Sequence, residues 1–167
     1  MKKKIMTITD WVHSVLASSI EEGDFCIDAT AGKGKDTLFL AEKAGESGQV
    51  LAFDIQEEAI FQAEQLINDH GYREQVRFVL DGHEHMERYA DKDSAAVILF
   101  NLGYLPEVTT LWQQKNLLRW RLRKRDFRFL KSRGSCVSVF TVAETADFLK
   151  KKLFFPGYKA CLQKNMM

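Results

Sequence analysis

The feature that most constrains this chain is Asp28-Ala29-Thr30-Ala31-Gly32-Lys33-Gly34-Lys35-Asp36-Thr37, which follows the apolar run Phe25-Cys26-Ile27 and precedes Leu38-Phe39-Leu40-Ala41. Apolar strand, glycine turn, helix is the context in which a Gly-rich loop holds a nucleotide-like ligand. Gly32 and Gly34 can take positive φ and let another molecule approach the backbone closely. A P-loop needs Gly-x-x-x-x-Gly-Lys-Ser/Thr, a spacing absent here, and the dinucleotide fingerprint needs a third glycine where Thr37 stands. What remains is Asp-x-x-x-Gly-x-Gly, with Asp54 closing a second apolar run, Val50-Leu51-Ala52-Phe53. A carboxylate there can accept both hydroxyls of a ribose, as an acid about 20 residues beyond the glycines does in Rossmann folds.

The pattern around this loop alternates regularly. Thr7 or Thr9 can cap an opening helix with Trp11, Val12, Val15 and Leu16 on one apolar face. Strands are expected over Phe25 to Asp28, Gln49 to Asp54, Val76 to Leu80 and Ala95 to Phe100. Helices are expected over Asp36 to Glu46 and Glu57 to His70, with a short one over His83 to Tyr89. Ala59, Ile60, Ala63, Leu66 and Ile67 give the Glu57 helix its inward face. Strands alternating with helices imply an α/β fold, a Rossmann-like parallel sheet with helices on both faces. Ligands then sit at the carboxyl ends of the strands, where Asp28, Asp54, Asp81 and Asn101 all fall. Asp81 is a candidate acceptor for an adenine amine. Singly, each could be an ordinary strand-end cap, since Asp and Asn favour turns.

Other classes are disfavoured. His83-Glu84-His85 does not make a His-Glu-x-x-His zinc site, because Glu87 stands where the second histidine is required, so no metal is expected. Cys26, Cys136 and Cys161 are odd in number and never form Cys-x-x-Cys, which suggests neither a disulfide framework nor a zinc site. No apolar run approaches membrane-spanning length, and Met1-Lys2-Lys3-Lys4 is followed by only Ile5-Met6 before polar residues. A cytoplasmic protein with no membrane partner is expected. With 46% hydrophobic and 28% charged residues, the 167-residue chain can bury one substantial core.

Asn101-Leu102-Gly103-Tyr104-Leu105-Pro106 is the second informative motif. It resembles the Asn/Asp-Pro-Pro-Tyr loop of methyltransferases acting on planar or amine nitrogens, with Leu102-Gly103 in place of the prolines. There an oxygen orients the nitrogen lone pair and an aromatic face holds the base, roles open to Asn101 and Tyr104. The Asp28 loop with Asp54 is similar to the S-adenosylmethionine (SAM) site of class I methyltransferases. Together with Phe53-Asp54-Ile55-Gln56 and Asp81-x-His83-Glu84, these motifs resemble, over about residues 20–106, a small bacterial family of rRNA methylases. That family is similar to the enzyme that methylates 5-aminomethyl-(2-thio)uridine at the tRNA wobble position. The resemblance implies SAM as cofactor, held by Asp28, Thr30, Gly32, Gly34, Asp36, Thr37, Asp54, Gln56, Asp81 and His83. It implies Asn101 and Tyr104 as catalytic residues and RNA as substrate, with the tRNA anticodon stem-loop first, rRNA as alternative, and a homodimer as a candidate assembly. The family usually has Asn where Lys33 stands, so a different cofactor-loop hydrogen bond is expected here.

The net charge of +1 conceals a break. Residues 1–106 hold 10 Lys and Arg against 19 Asp and Glu, a balance of −9, whereas residues 107–167 hold 14 against 4, a balance of +10. Past Pro106 the family's motifs stop, and Arg119-Trp120-Arg121-Leu122-Arg123-Lys124-Arg125 stands in their place. With synonymous codons chosen suitably, a second frame of Glu107 to Lys115 reads Ser-Asp-His-Ser-Val-Ala-Thr-Lys. Leu130 to Gly134 then reads Leu-Ser-Pro-Gly, and Val139 to Leu149 reads Ile-Tyr-Ser-Gly-Gly-Asp-Ser-Gly-Phe-Phe, three family landmarks in order. The chain is therefore read as a SAM-binding core over 1–106 and an atypical basic tail over 107–167 from a shifted reading frame. The alternatives for the tail are a basic arm for single-stranded nucleic acid or a divergent strand pair, and the alternative for the whole chain is a catalytically impaired SAM- or RNA-binding remnant.

Overall fold

A computed structural model describes residues 8–102, 129–140 and 152–156. Four strands fall where hydrophobic runs and their polar ends predict: β1 (Phe25–Asp28), β2 (Gln49–Asp54), β3 (Val76–Leu80) and β4 (Ala95–Leu102), which runs two residues beyond its expected end. Two more, β5 (Leu130–Phe140) and β6 (Lys152–Pro156), complete one sheet of order β3-β2-β1-β4-β5-β6. The first five strands are parallel and β6 pairs antiparallel with β5. Lys131 Nζ, 2.7 Å from Asp24 Oδ1, ties the start of β5 to the turn entering β1.

Helix α1 (Ile8–Leu16) precedes β1, and between strands run α2 (Lys35–Ala44) and α3 (Glu57–Asp69), with a 3-10 turn over His83–Arg88 where a short helix was expected. The period of two along each strand separates two cores. Cys26, Val50, Ala52, Val97 and Leu99 point to one side and meet Val12 and Leu16 of α1, Phe39 and Leu40 of α2, and Ala63 and Ile67 of α3. Ile27, Leu51, Phe53, Ile98 and Phe100 point to the other, where Met86 and Tyr89 of the 3-10 segment and Phe129 cover them. Burying a side chain of this size contributes about 1.5–3 kcal/mol. Trp11 departs from the expected apolar face of α1: it is 43% exposed, while Val12 and Leu16 are the residues that anchor the helix.

The order β3-β2-β1-β4 reverses direction between β1 and β4. After β3 the chain crosses to the far side of β1, leaving a crevice outside the carboxyl ends of β1 and β4, the place where open α/β sheets bind ligands. The β1–α2 loop occupies its rim. Ala29 N donates to Leu99 O of β4 at 2.8 Å, and Ala31 N donates to Phe53 O of β2 at 2.7 Å. The loop is thereby fastened to both neighbouring strands.

Candidate active site

The floor of the crevice is a buried hydrogen-bond staple. Asp28 is 0% exposed; its Oδ1 accepts from Thr30 N at 3.0 Å and its Oδ2 from the Thr37 hydroxyl at 2.6 Å. Burial, reinforced by the charge of Asp36, pushes the Asp28 carboxyl up to about 7. Sequence reasoning put Asp28 and Thr37 at the cofactor. The structure places both beneath the loop, where they fix its path, because both side chains are fully buried and bonded to the chain itself.

The two glycines separate in the same way. Gly34 caps α2 with φ +79°, and a Cβ there would lie 2.9 Å from Ala63 Cα and 3.0 Å from Ala63 Cβ, so its missing side chain admits α3. Gly32, with φ +52°, has only Thr30 O within 4 Å of such a Cβ, at 3.8 Å. Of the pair, Gly32 keeps open space for a ligand.

Above the floor, Asp54 at the end of β2 accepts from Gly32 N at 2.9 Å through Oδ2 and from Gln56 N at 3.0 Å through Oδ1. A carboxylate oxygen has a second lone pair, so these bonds orient Asp54 and still leave acceptor capacity for a diol. Gln56 itself precedes α3 in an extended conformation and is exposed. Two loop amides are not free for phosphate: Gly32 N is spent on Asp54 and Gly34 N donates to Ala31 O at 2.8 Å, while the charges of Asp36 and Asp54 act on Asp28, and Lys33 and Lys35 stand in the same stretch.

Asp81, the expected adenine acceptor, is largely occupied by its own segment. Gly82 N and His85 Nδ1 donate to Oδ1 at 2.8 and 2.7 Å, and the Tyr89 hydroxyl donates to Oδ2 at 2.9 Å. The His85 bond leads the effects that hold the Asp81 carboxyl down at about 2, and the hydrogen bond that Tyr89 donates to Asp81 pushes its phenol up. His83 meets Phe100 edge-on, with ring centroids 5.2 Å apart.

Asn101 closes β4 within the crevice. Its backbone N donates to Thr30 Oγ1 at 2.7 Å and its side-chain Nδ2 to Asp36 Oδ2 at 2.8 Å. Thr30 and Asp36 therefore reach β4, across the switch point, from the loop and the first turn of α2. Asp36 also accepts from His13 Nε2 of α1 at 2.6 Å. His13 is the residue that sequence reasoning missed. A histidine beside the apolar Val12 was its one local signal, and its partner lies 23 positions away. Tyr104, the second catalytic candidate, lies outside the described residues.

A family model described as "Putative rRNA methylase" matches residues 50–115. A solved structure of a "putative rRNA-methylase" from Clostridium thermocellum is 32% identical, with TM-score 0.66 over 82% of this chain and 73% of that one. The chain belongs to this methyltransferase family. Another family-like structure, a methyltransferase of Streptococcus mutans solved "in complex with SAH", is 28% identical, with TM-score 0.64 over 81% of this chain and 73% of that one. The chloroplastic tRNA (mnm(5)s(2)U34)-methyltransferase of Arabidopsis thaliana is 35% identical over 107 residues, 59% of this chain. The chain spans 39% of the length of that curated relative. The sheet is accordingly that of a Rossmann-like class I methyltransferase, and among the described residues no helix is long and apolar enough to cross a membrane.

Proposed function

We propose that this chain is the catalytic core of a SAM-dependent RNA methyltransferase that methylates the aminomethyl nitrogen of a tRNA wobble uridine. The observation that carries the reading is the juxtaposition, at the switch point, of the open Gly32 backbone, the oriented Asp54 carboxylate and the Asn101 carboxamide. The site fits the cofactor chemically: the Gly32 backbone leaves open space at the rim of the crevice, and Asp54 suits a ribose diol. When bound, SAM supplies an electrophilic methyl group; the amine lone pair forms the new N–C bond as the C–S bond breaks, and its electrons stay on sulfur.

The chain's own contribution is to place the nucleophile. Asn101 offers a carbonyl oxygen that accepts an amine N–H and so aims the lone pair, an effect that rests on positioning. An alkyl ammonium, with a pKa of about 10, must shed a proton before it can attack. The wobble-uridine assignment follows the curated relative's printed activity, and an rRNA target is the nearest competitor. The excess of acid in residues 1–106 gives that part no electrostatic attraction for RNA. Phosphate contacts therefore fall to residues beyond it, whether the basic segment as written or the sequence of the frame we propose to be the original one.

Calorimetry with SAM followed by tritiated-methyl transfer to bulk tRNA and to rRNA tests the reading. Binding with transfer to tRNA supports it, and transfer to rRNA alone redirects the substrate. Binding without transfer favours a cofactor-binding remnant, a reading that the lost motifs after Pro106 recommend. Absence of binding overturns both.

A further inference from the structure

The mechanism above needs the oxygen of Asn101, and not its NH2, to face the incoming amine. A carboxamide is nearly symmetric in shape, so something must choose its orientation. An NH2 offered to the amine would tie up the very lone pair that has to attack.

We propose that Asp36, braced by His13, locks the Asn101 side chain with its carbonyl oxygen presented to the acceptor nitrogen, making Asp36 and His13 positioning residues. The inference rests on the methyltransferase reading and adds two residues to its site. An ionised carboxylate only accepts hydrogen bonds, so the Asn101 atom 2.8 Å from Asp36 Oδ2 has to be Nδ2. With the nitrogen spent on the protein, the oxygen is the pole left for a nucleophile. The backbone bond from Asn101 N to Thr30 Oγ1, at 2.7 Å, fixes the residue from its other end.

His13 serves Asp36 by the same logic. Its Nε2 stands 2.6 Å from Asp36 Oδ1 and has to be the donor, and its ring lies flat on Phe39, with centroids 3.9 Å apart and planes 3° from parallel. Asp36 is 6% exposed, too dry to lean on solvent for its second oxygen. A buried carboxylate that loses one of two donors is free to turn toward the other, and an Asp36 that has turned no longer holds the Asn101 amide in one orientation. Helix α1, otherwise a cover for the core, thus reaches the reacting atoms through one ring.

The test uses the full chain. Asp36→Asn offers Asn101 a donor and lets its amide turn over; single-turnover transfer at saturating SAM should fall by about 30–100-fold, the cost of a misplaced nucleophile, well beyond any fall in SAM affinity caused by the lost charge. His13→Ala should lose about tenfold, and His13→Gln, which keeps a donor, should recover most of it. Equal losses of affinity and turnover, or no loss of turnover, overturn the proposal. The Asn101 side-chain amide in a 15N-labelled chain, assigned by its disappearance in Asn101→Ala, gives a readout independent of activity. Two widely separated, slowly exchanging proton resonances that converge in folded Asp36→Asn support the lock; free-amide behaviour in the parent overturns it. A parent that binds no SAM defeats the methyltransferase reading, whereas the amide spectrum still decides the orientation.

Discussion

Replacing Gly34 with alanine separates a glycine that serves packing from one that serves a ligand. At φ +79° any residue with a Cβ pays about 1–2 kcal/mol for the left-handed conformation. The new methyl also meets Ala63 Cα at 2.9 Å, Cβ at 3.0 Å and O at 3.3 Å, atoms fixed to the backbone of α3 that cannot retreat unless the helix moves. Overpacking of that kind costs about 1–3 kcal/mol more. The expected loss is about 2–5 kcal/mol, or about 4–20 °C in Tm for a chain of this size. Gly71→Ala is the control for strain alone, since φ is +80° and nothing lies within 4 Å of the added carbon. Gly32→Ala, with its nearest atom 3.8 Å away, should resemble Gly71→Ala in stability but lose SAM affinity. Urea unfolding followed by circular dichroism, with calorimetry on the folded variants, measures both quantities. If Gly34→Ala unfolds at the same urea midpoint as Gly71→Ala, the close approach of α3 to the loop is not a constraint and the argument fails.

Asp28 makes stability depend on pH with a definite sign. Its folded pKa of about 7 lies above the ordinary carboxyl value of 3.8, so the folded state holds the proton more tightly and stability declines as pH rises from about 4 to about 7, then levels. Asp28→Asn should remove up to about 4 kcal/mol of that decline; parallel pH profiles of parent and variant between pH 5 and 8 would contradict it. Asp54→Ala should weaken SAM by about 1.5–3 kcal/mol, the range for hydrogen bonds to a charged group. Asn101→Ala should bind SAM nearly as the parent does and transfer slowly; equal losses of affinity in the two variants would refute the division of labour. Burial, followed by the charge of Asp24, pushes the Cys26 thiol up to about 12, so peptide mass spectrometry should find it unalkylated in native protein at pH 8 and alkylated in urea. Native labelling at the rate of a free thiol would show that β1 is not buried as described. The nucleotide sequence of the gene tests the shifted frame directly: codons after Pro106 that exclude the three family landmarks end that proposal.

The strands β1 to β4 and helices α2 and α3 were legible because their signals are local. Apolar runs closed by Asp28, Asp54, Asp81 and Asn101, and helices broken near Gly45 and Gly71, depend on neighbours within a few positions. That was enough to name a parallel sheet and the edge where a ligand sits. The roles of residues along that edge were a different matter. Asp28 and Asp54 look alike in sequence, yet one is sealed beneath the loop and the other stands at its rim. Gly32 and Gly34 share a motif, yet α3 fills the space beside only one of them. His13 carried no motif and entered the site only when α1 packed against α2. Local sequence determines backbone preference and the alternation of apolar side chains. Tertiary packing decides which polar atoms are used up by distant parts of the chain and which remain for chemistry, because a hydrogen bond across 23 or 65 residues leaves no periodicity to read.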